Sequence, residues 1–169
     1  KGSMENKSYT ANWTPIKYNI KYELDGGVLS TTNPTEYTVE TETFTLNNPT
    51  KEGYIFKGWS TSLTSTSSYN ATMTVEKGST GDKEFRAVWQ IITYNISYNL
   101  NGGTLTNVSN PTSYNITTET FTLKNPTRKG YTFKGWTGSN GNTAQTSVSI
   151  AKGSMENKSY TANWTPIKY

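Results

Sequence analysis

Residues 18–27 read YNIKYELDGG, and residues 94–103 read YNISYNLNGG. In the first stretch Tyr18, Ile20, Tyr22 and Leu24 alternate with Asn19, Lys21 and Glu23. In the second, Tyr94, Ile96, Tyr98 and Leu100 alternate with Asn95, Ser97 and Asn99. Alternation of period two puts every large side chain on one face of an extended chain, so each stretch predicts a half-buried strand. Asp25-Gly26 and Asn101-Gly102 follow at once. A type I′ turn needs positive φ at both central residues, which these dipeptides tolerate, so a β-hairpin is predicted at each.

The likeness of the two stretches extends in both directions. TETFTLNNPTKEGYIFKGW (41–59) matches TETFTLKNPTRKGYTFKGW (118–136), and KGSTGDKEFRAVW (77–89) matches KGSMENKSYTANW (152–164). Corresponding positions lie about 75 residues apart, which defines one unit over 18–93 and another over 94–169. A longer period is superimposed: residues 1–18 recur unchanged at 152–169, a spacing of 151 residues. Residues 1–17 therefore read as the C-terminal strand of a truncated preceding repeat, and the chain as a piece of a longer array. Because Tyr160–Trp164 reads as a strand, the same sequence at Ser8–Thr14 is predicted to be an ordered strand as well. Repetition of this kind extends length or multiplies weak contacts.

Within a unit, Asn-Pro-Thr marks turns at 33–35 and 110–112, and again at 48–50 and 125–127. Tyr37 and Val39 share one parity, and Phe44 and Leu46 share the other. A one-residue slip moves side chains to the opposite face, so a bend or break is predicted near Glu40–Thr43. A short helical turn is expected to start at Thr50. Tyr54, Phe56 and Gly58-Trp59 form the next strand, and Phe85–Trp89 the last. Residues 60–72, rich in Ser and Thr, have no counterpart of equal length and predict a variable surface loop. Only Thr14–Lys17 and Gln90–Thr93 separate one unit's last Trp from the next unit's first Tyr. Linkers this short predict units that abut with little hinge motion, each unit's partners being the neighbouring units of the same chain.

Composition narrows the function. Leu, Ile, Val and Phe make up 27 of 169 residues, about 16%, which is thin for a folded core. The net charge is only +4, however, and aromatics reach 13%, with five Trp and twelve Tyr. Large rings bury on the order of 150–250 Å² each, so a folded, aromatic core is predicted, with Trp13, Trp59, Trp89, Trp136 and Trp164 inside it. There is no Cys and no His, which removes disulfides, thiol nucleophiles and the commonest general base. No apolar run approaches the roughly 20 residues of a membrane helix, so membrane insertion is not expected. The Lys residues are dispersed and only Arg86 and Arg128 occur, so no nucleic-acid surface is predicted either.

Together these motifs carry a family resemblance. Alternating Tyr and Ile run into D-G-G or N-G-G. Then comes Asn-Pro-Thr followed by G-Y-x-F-x-G-W: Gly53, Tyr54, Phe56, Gly58, Trp59, and Gly130, Tyr131, Phe133, Gly135, Trp136. This set resembles the Listeria–Bacteroides repeat, also known as the internalin B-repeat. The chain departs from the common form in a longer insert before the first Asn-Pro-Thr and in its Ser/Thr-rich loop. The resemblance implies a mainly β or α+β fold: tandem small β-grasp (ubiquitin-like) repeats with at most a short helix each. It also implies an extracellular place, in a bacterial cell-wall-attached, cell-surface or secreted protein. The family brings no catalytic residues.

The residues offer little sharper chemistry. Without His or Cys, paired carboxylates are the remaining catalytic option. Glu42 and Glu119 occupy the same place in both units, yet no second acid is shared, and Glu156 stands where the first unit has Gly81. A Lys–Asn cross-link needs a set such as Lys134, Glu119 and Asn163, but the first unit offers Lys57, Glu42 and Val88. Asp25 becomes Asn101 in the second unit, which argues against calcium. Asn70 and Asn107 head N-x-S/T sequons that matter only where the source glycosylates Asn. No catalytic, cofactor-binding or metal residue is assigned, no cofactor is expected, and the chain reads as a non-enzyme. The expected function is a structural or spacer repeat of an adhesin-type protein; the alternative is an adhesive module for a host protein or glycan.

Overall fold

In the computed structural model, residue 2 and residues 4–168 are described. The chain divides into two compact units. The first contains β1 (Tyr18–Glu23), β2 (Glu36–Tyr37), β3 (Phe44–Thr45), β4 (Tyr54–Ser60), β5 (Thr74–Val75) and β6 (Lys83–Ile91). The second contains β7 (Tyr94–Asn99), β8 (Ser113–Tyr114), β9 (Phe121–Thr122), β10 (Tyr131–Gly138), β11 (Gly141–Gln145), β12 (Ser149–Ile150) and β13 (Lys158–Pro166). No helix occurs among the described residues, and the fold is mainly β.

Each unit builds a mixed sheet with its first and last strands side by side. The order is β2-β1-β6-β4 in one and β8-β7-β13-β10-β11 in the other. β1 and β6 run parallel, with Ile20 opposite Lys83 and Tyr22 opposite Phe85. β7 and β13 repeat this register, with Ile96 opposite Lys158 and Tyr98 opposite Tyr160. A parallel pair cannot be joined by a tight turn, so the intervening chain must cross over. Here the crossover is irregular and carries a second small ladder, β3-β5 or β9-β12.

The alternation read from the sequence sets which face is buried. Ile20, Tyr37, Leu46, Trp59, Val75, Phe85 and Ala87 form one core, with Tyr18, Tyr22, Leu24, Phe44, Phe56, Met73 and Trp89 packed against it. Ile96, Tyr114, Leu123, Trp136, Val148, Ile150, Tyr160 and Ala162 form the other. Rings meet mostly edge to face. Trp59 lies 5.4 Å from Phe56, and Trp136 lies 5.5 Å from Phe133. Such pairs add roughly 0.5–1.5 kcal/mol each beyond the area they bury, which is how a chain poor in aliphatics holds together.

The parity slip falls where expected, at a turn between β2 and β3 closed by Thr41 N–H donating to the Thr38 carbonyl at 3.1 Å. Residues 61–69 form an irregular, mostly exposed loop, again as expected. Three expectations are corrected. The Asp25-Gly26 and Asn101-Gly102 turns form, with Asp25 at φ 48° and Asn101 at φ 49°, but no hairpin follows. Val28 pairs instead with Thr50, and Thr104 with Thr127. The reason is a ring: Trp89 Nε1 donates to the Leu24 carbonyl at 3.1 Å, and the chain passes over the indole at Gly27. A Cβ at Gly27 would sit 2.5 Å from that ring, and Gly103 is pressed in the same way against Trp164. The helical turn expected at Thr50 is absent, because Thr50 is committed to its bridge with Val28.

The third correction is the largest. Residues 8–14 form no strand, although their sequence is that of 159–165. Tyr9 is 88% exposed and Trp13 89% exposed, so Trp13 is no core residue.

Candidate interaction surface

The remaining four Trp residues are structural. Trp59 and Trp136 are fully buried. Each indole N–H is satisfied by the Asn of the second Asn-Pro-Thr: Trp59 Nε1 donates to Asn48 Oδ1 at 3.1 Å, and Trp136 Nε1 to Asn125 Oδ1 at 3.0 Å. Trp89 and Trp164 are half-buried and bonded to the Leu24 and Leu100 carbonyls. None of these four offers a free indole face of the kind a sugar stacks on.

The first Asn-Pro-Thr has a role that its reading as a turn did not show. Asn33 is buried, accepts from Asn47 N–H at 2.7 Å and donates to the Asn47 carbonyl at 3.0 Å. Asn110 makes the same two bonds to Lys124. The side-chain amide thus stands in for a strand rung between loops 14 residues apart. Its only sequence signal is that both Asn-Pro-Thr triplets recur in both units.

The acidic candidates have structural partners as well. Glu42 pairs with Lys77 at 2.5 Å and Glu119 with Lys152 at 2.5 Å, both on the exposed surface. Exposed pairs of this kind contribute little to stability. Glu156 sits at φ 77°, and its carbonyl accepts from the Tyr114 hydroxyl at 2.5 Å. Gly81, at φ 81°, does the same for Tyr37. The position is a left-handed turn that Glu tolerates at a cost, and its side chain is exposed. Asp82 accepts from Asn19 N–H at 2.7 Å, and Asn157 from Asn95 N–H at 2.8 Å, so that acid is a strand cap.

The cross-link set does not assemble. Lys134 is exposed, Glu119 is engaged by Lys152, and Asn163 donates to the Gly135 carbonyl at 3.1 Å and to Thr137 Oγ1 at 3.0 Å. Lys57 is half-buried and Val88 buried in the other unit. Asn70 and Asn107 are both exposed. No group of three or more acids gathers among the described residues. No helix among them is long and apolar enough to cross a membrane.

The units differ in one ion pair and in the segment after β4 or β10. In the first, Asp25 takes Arg86 in a two-pronged ion pair, at 2.7 Å and 3.0 Å. Arg86 also donates to the Leu63 carbonyl at 2.6 Å and so holds the Ser/Thr-rich loop. In the second, Thr161 replaces Arg86, and a tight hairpin of β10 and β11 replaces the loop. Each unit also carries a surface recess. One, of about 310 Å³, is lined by Thr61, Met73, Asp82, Lys83, Glu84 and Phe85 among others. The other, about 470 Å³ and open, is lined by Tyr98, Leu100, Leu105, Val108, Ser109 and Asn110 among others. The Tyr98 hydroxyl donates to the Pro111 carbonyl at 2.8 Å, and burial pushes its pKa up to about 12.

The repeated sequence matches a known family. The Listeria-Bacteroides repeat domain matches residues 18–88 and again 94–163. The chain belongs to the Listeria-Bacteroides repeat family. Over 134 residues, 78% of its length, the chain is 31% identical to a protein of Evansella cellulosilytica that bears the name "Putative Gly-rich membrane protein". The matched region spans 14% of that protein. No solved structure matches the chain. Within the Listeria-Bacteroides repeat, the motif residues Tyr54–Trp59 and Tyr131–Trp136 fall on β4 and β10, where Phe56, Trp59, Phe133 and Trp136 supply core rings, and Gly53 and Gly130 end the turns before them.

Proposed function

We propose that this chain is a structural spacer of a bacterial cell-surface or secreted adhesin-type protein. Its repeats set the distance between parts of the parent molecule and carry no catalysis. One observation supports this above the rest. What the two units share is turns, buried rings and Asn rungs, and the charged pair they have in common, Glu42–Lys77 and Glu119–Lys152, is exposed. The side-by-side parallel arrangement of first and last strands further suggests a β-grasp repeat in which an irregular crossover stands in for the helix. The family resemblance favours an extracellular place, and the membrane-protein name of the Evansella relative is compatible with a surface setting.

The experiment is to add or delete one 151-residue block in the parent protein and measure attachment. A spacer tolerates a change in unit number, with a graded effect of length. Abolition of attachment by loss of a single block, or by substitutions at one surface patch, would overturn the reading.

The open recess beside Tyr98 and Val108 favours a second reading, an adhesive module for host protein or glycan. Val108 is 48% exposed there. Substituting Val108→Asp and Leu105→Asp should then abolish binding in a glycan and host-protein screen that the unchanged chain passes.

A further inference from the structure

One difference between the units opens a site. In the second, β10 follows β13 as far as Gly138, which lies opposite Tyr160, and Ser139 then closes on Ser159. Ser139 N–H donates to the Ser159 carbonyl at 2.9 Å, and its hydroxyl accepts from Ser159 N–H at 2.9 Å. Glycine at 138 allows this closure. Its φ is 127°, and a Cβ there would lie 2.3 Å from the Ser159 carbonyl oxygen.

In the first unit the equivalent residues are Thr61 and Ser62. Thr61 carries a Cβ and cannot take the place of Gly138, so β4 ends at Ser60 and the chain turns away. Ser62 N–H donates to Ser60 Oγ at 3.2 Å, and Ser62 Oγ accepts from the Thr64 and Ser65 amides at 3.4 and 3.2 Å. Both groups that Ser139 spends on Ser159 are therefore spent inside the loop. The counterpart of Ser159 is Glu84, and the register is the same: Glu84 faces Lys21 as Ser159 faces Ser97. The N–H and carbonyl of Glu84 accordingly point away from β1, into the recess of about 310 Å³. Its lining joins buried Phe85 and half-buried Met73 to Asp82, Lys83 and Glu84.

We propose that this recess is a binding site for an extended peptide segment of a partner protein, added antiparallel to β6, with glycine then serine at its centre and Lys or Arg beside them. The second unit supplies the template, since its own Gly138-Ser139 occupies the equivalent place. Adding a strand to an open edge satisfies backbone groups on both sides, here the N–H and carbonyl of Glu84. Glycine is required where a Cβ would strike the Glu84 carbonyl. Charge selects the flanking residues. Glu84 is exposed and has no ion-pair partner among the described residues, and Asp82 adds a second carboxylate. Lys83 turns its ammonium to the Tyr37 ring, 5.5 Å from the centroid. The loop keeps to itself, since Ser60 Oγ donates to the Ser65 carbonyl at 2.8 Å and Arg86 to the Leu63 carbonyl at 2.6 Å. The site exists in one unit of the pair, so it adds to the spacer reading without depending on it.

The test is an NMR titration of the isotope-labelled full chain with the capped peptide Lys-Thr-Gly-Ser-Lys. Saturable shifts of the Lys83, Glu84 and Phe85 amides are expected, with a dissociation constant in the millimolar range and no movement at Ser159. Two changed peptides probe the geometry and leave the protein untouched. N-methylation of the serine removes the donor to the Glu84 carbonyl, and valine in place of glycine restores the Cβ clash; each should weaken binding by at least about fivefold. Glu84→Gln should weaken the lysine peptide by about threefold and leave the melting curve in place. Absence of saturable shifts, equal binding of the N-methyl or valine peptide, or shifts centred on Ser159 would overturn the proposal.

Discussion

Residues 4–17 and residues 155–168 are the same sequence in one molecule, and only the second copy contains a strand. The difference lies in what surrounds them. In the second copy β10 and β7 supply backbone partners on both sides, and Tyr98, Phe133 and Trp136 supply a ring floor. The first copy has neither. A strand's polar backbone is costly to dry without partners, and its rings have nothing to bury against. Alternation in a sequence therefore states which face a strand would bury, and the rest of the fold decides whether it does.

Substitutions made in parallel at positions 151 apart sharpen this comparison. The largest effect is expected at Ala162, which has no exposed surface. Ala162→Asp puts a carboxylate between sheet and core and should cost on the order of 3–5 kcal/mol in the second unit. Ala11→Asp should change stability by less than about 0.5 kcal/mol, since it lies on an exposed segment. Chemical denaturation of both variants checks this, and equal losses would break the comparison. Trp164→Ala should come next, at about 2–3 kcal/mol, since the ring is half-buried and its N–H is bonded. Trp13→Ala should be near neutral by the same measurement.

Alkaline titration probes the ring floor. Burial raises the Tyr22 and Tyr98 hydroxyls to about 12, against about 10 for an unfolded Tyr. Between those values the folded state holds protons that the unfolded state has released, so stability falls as pH rises. The contribution is complete below about pH 10 and lost on passing 12. Absorbance at alkaline pH should show these tyrosines ionising late, and Ala162→Asp should return Tyr98 to the ordinary range. The smallest effect belongs to Glu156→Gly. A left-handed φ costs a non-glycine residue roughly 1 kcal/mol, so this change should stabilise the second unit by up to about that amount. Glu5→Gly, its twin, should leave the melting curve where it was.

Much of the fold was legible because it is local. The Tyr/Ile alternation put Ile20 and Ile96 inside, and the aromatic surplus put Trp59 and Trp136 there. What stayed hidden depends on residues far apart in the chain. Asp25-Gly26 does encode its turn, but Trp89, more than 60 residues on, decides that the chain does not fold back along β1. Asn33 reads as a turn former, and only the approach of Asn47 makes it a buried rung. The candidate chemistry behaved in the same way. Glu42, Glu119 and Lys134 have suitable side chains, yet the fold pairs each Glu with a neighbouring Lys and leaves Lys134 in water.

Residue-resolved amide exchange by NMR tests the dependence on partners most directly, since it separates two segments that identical peptide masses cannot. Amides of 158–166 that face β10 or β7 should be strongly protected, and amides of 7–15 should exchange at near-unfolded rates in the same sample. Equal protection of the two copies in dilute, monomeric protein would contradict the account.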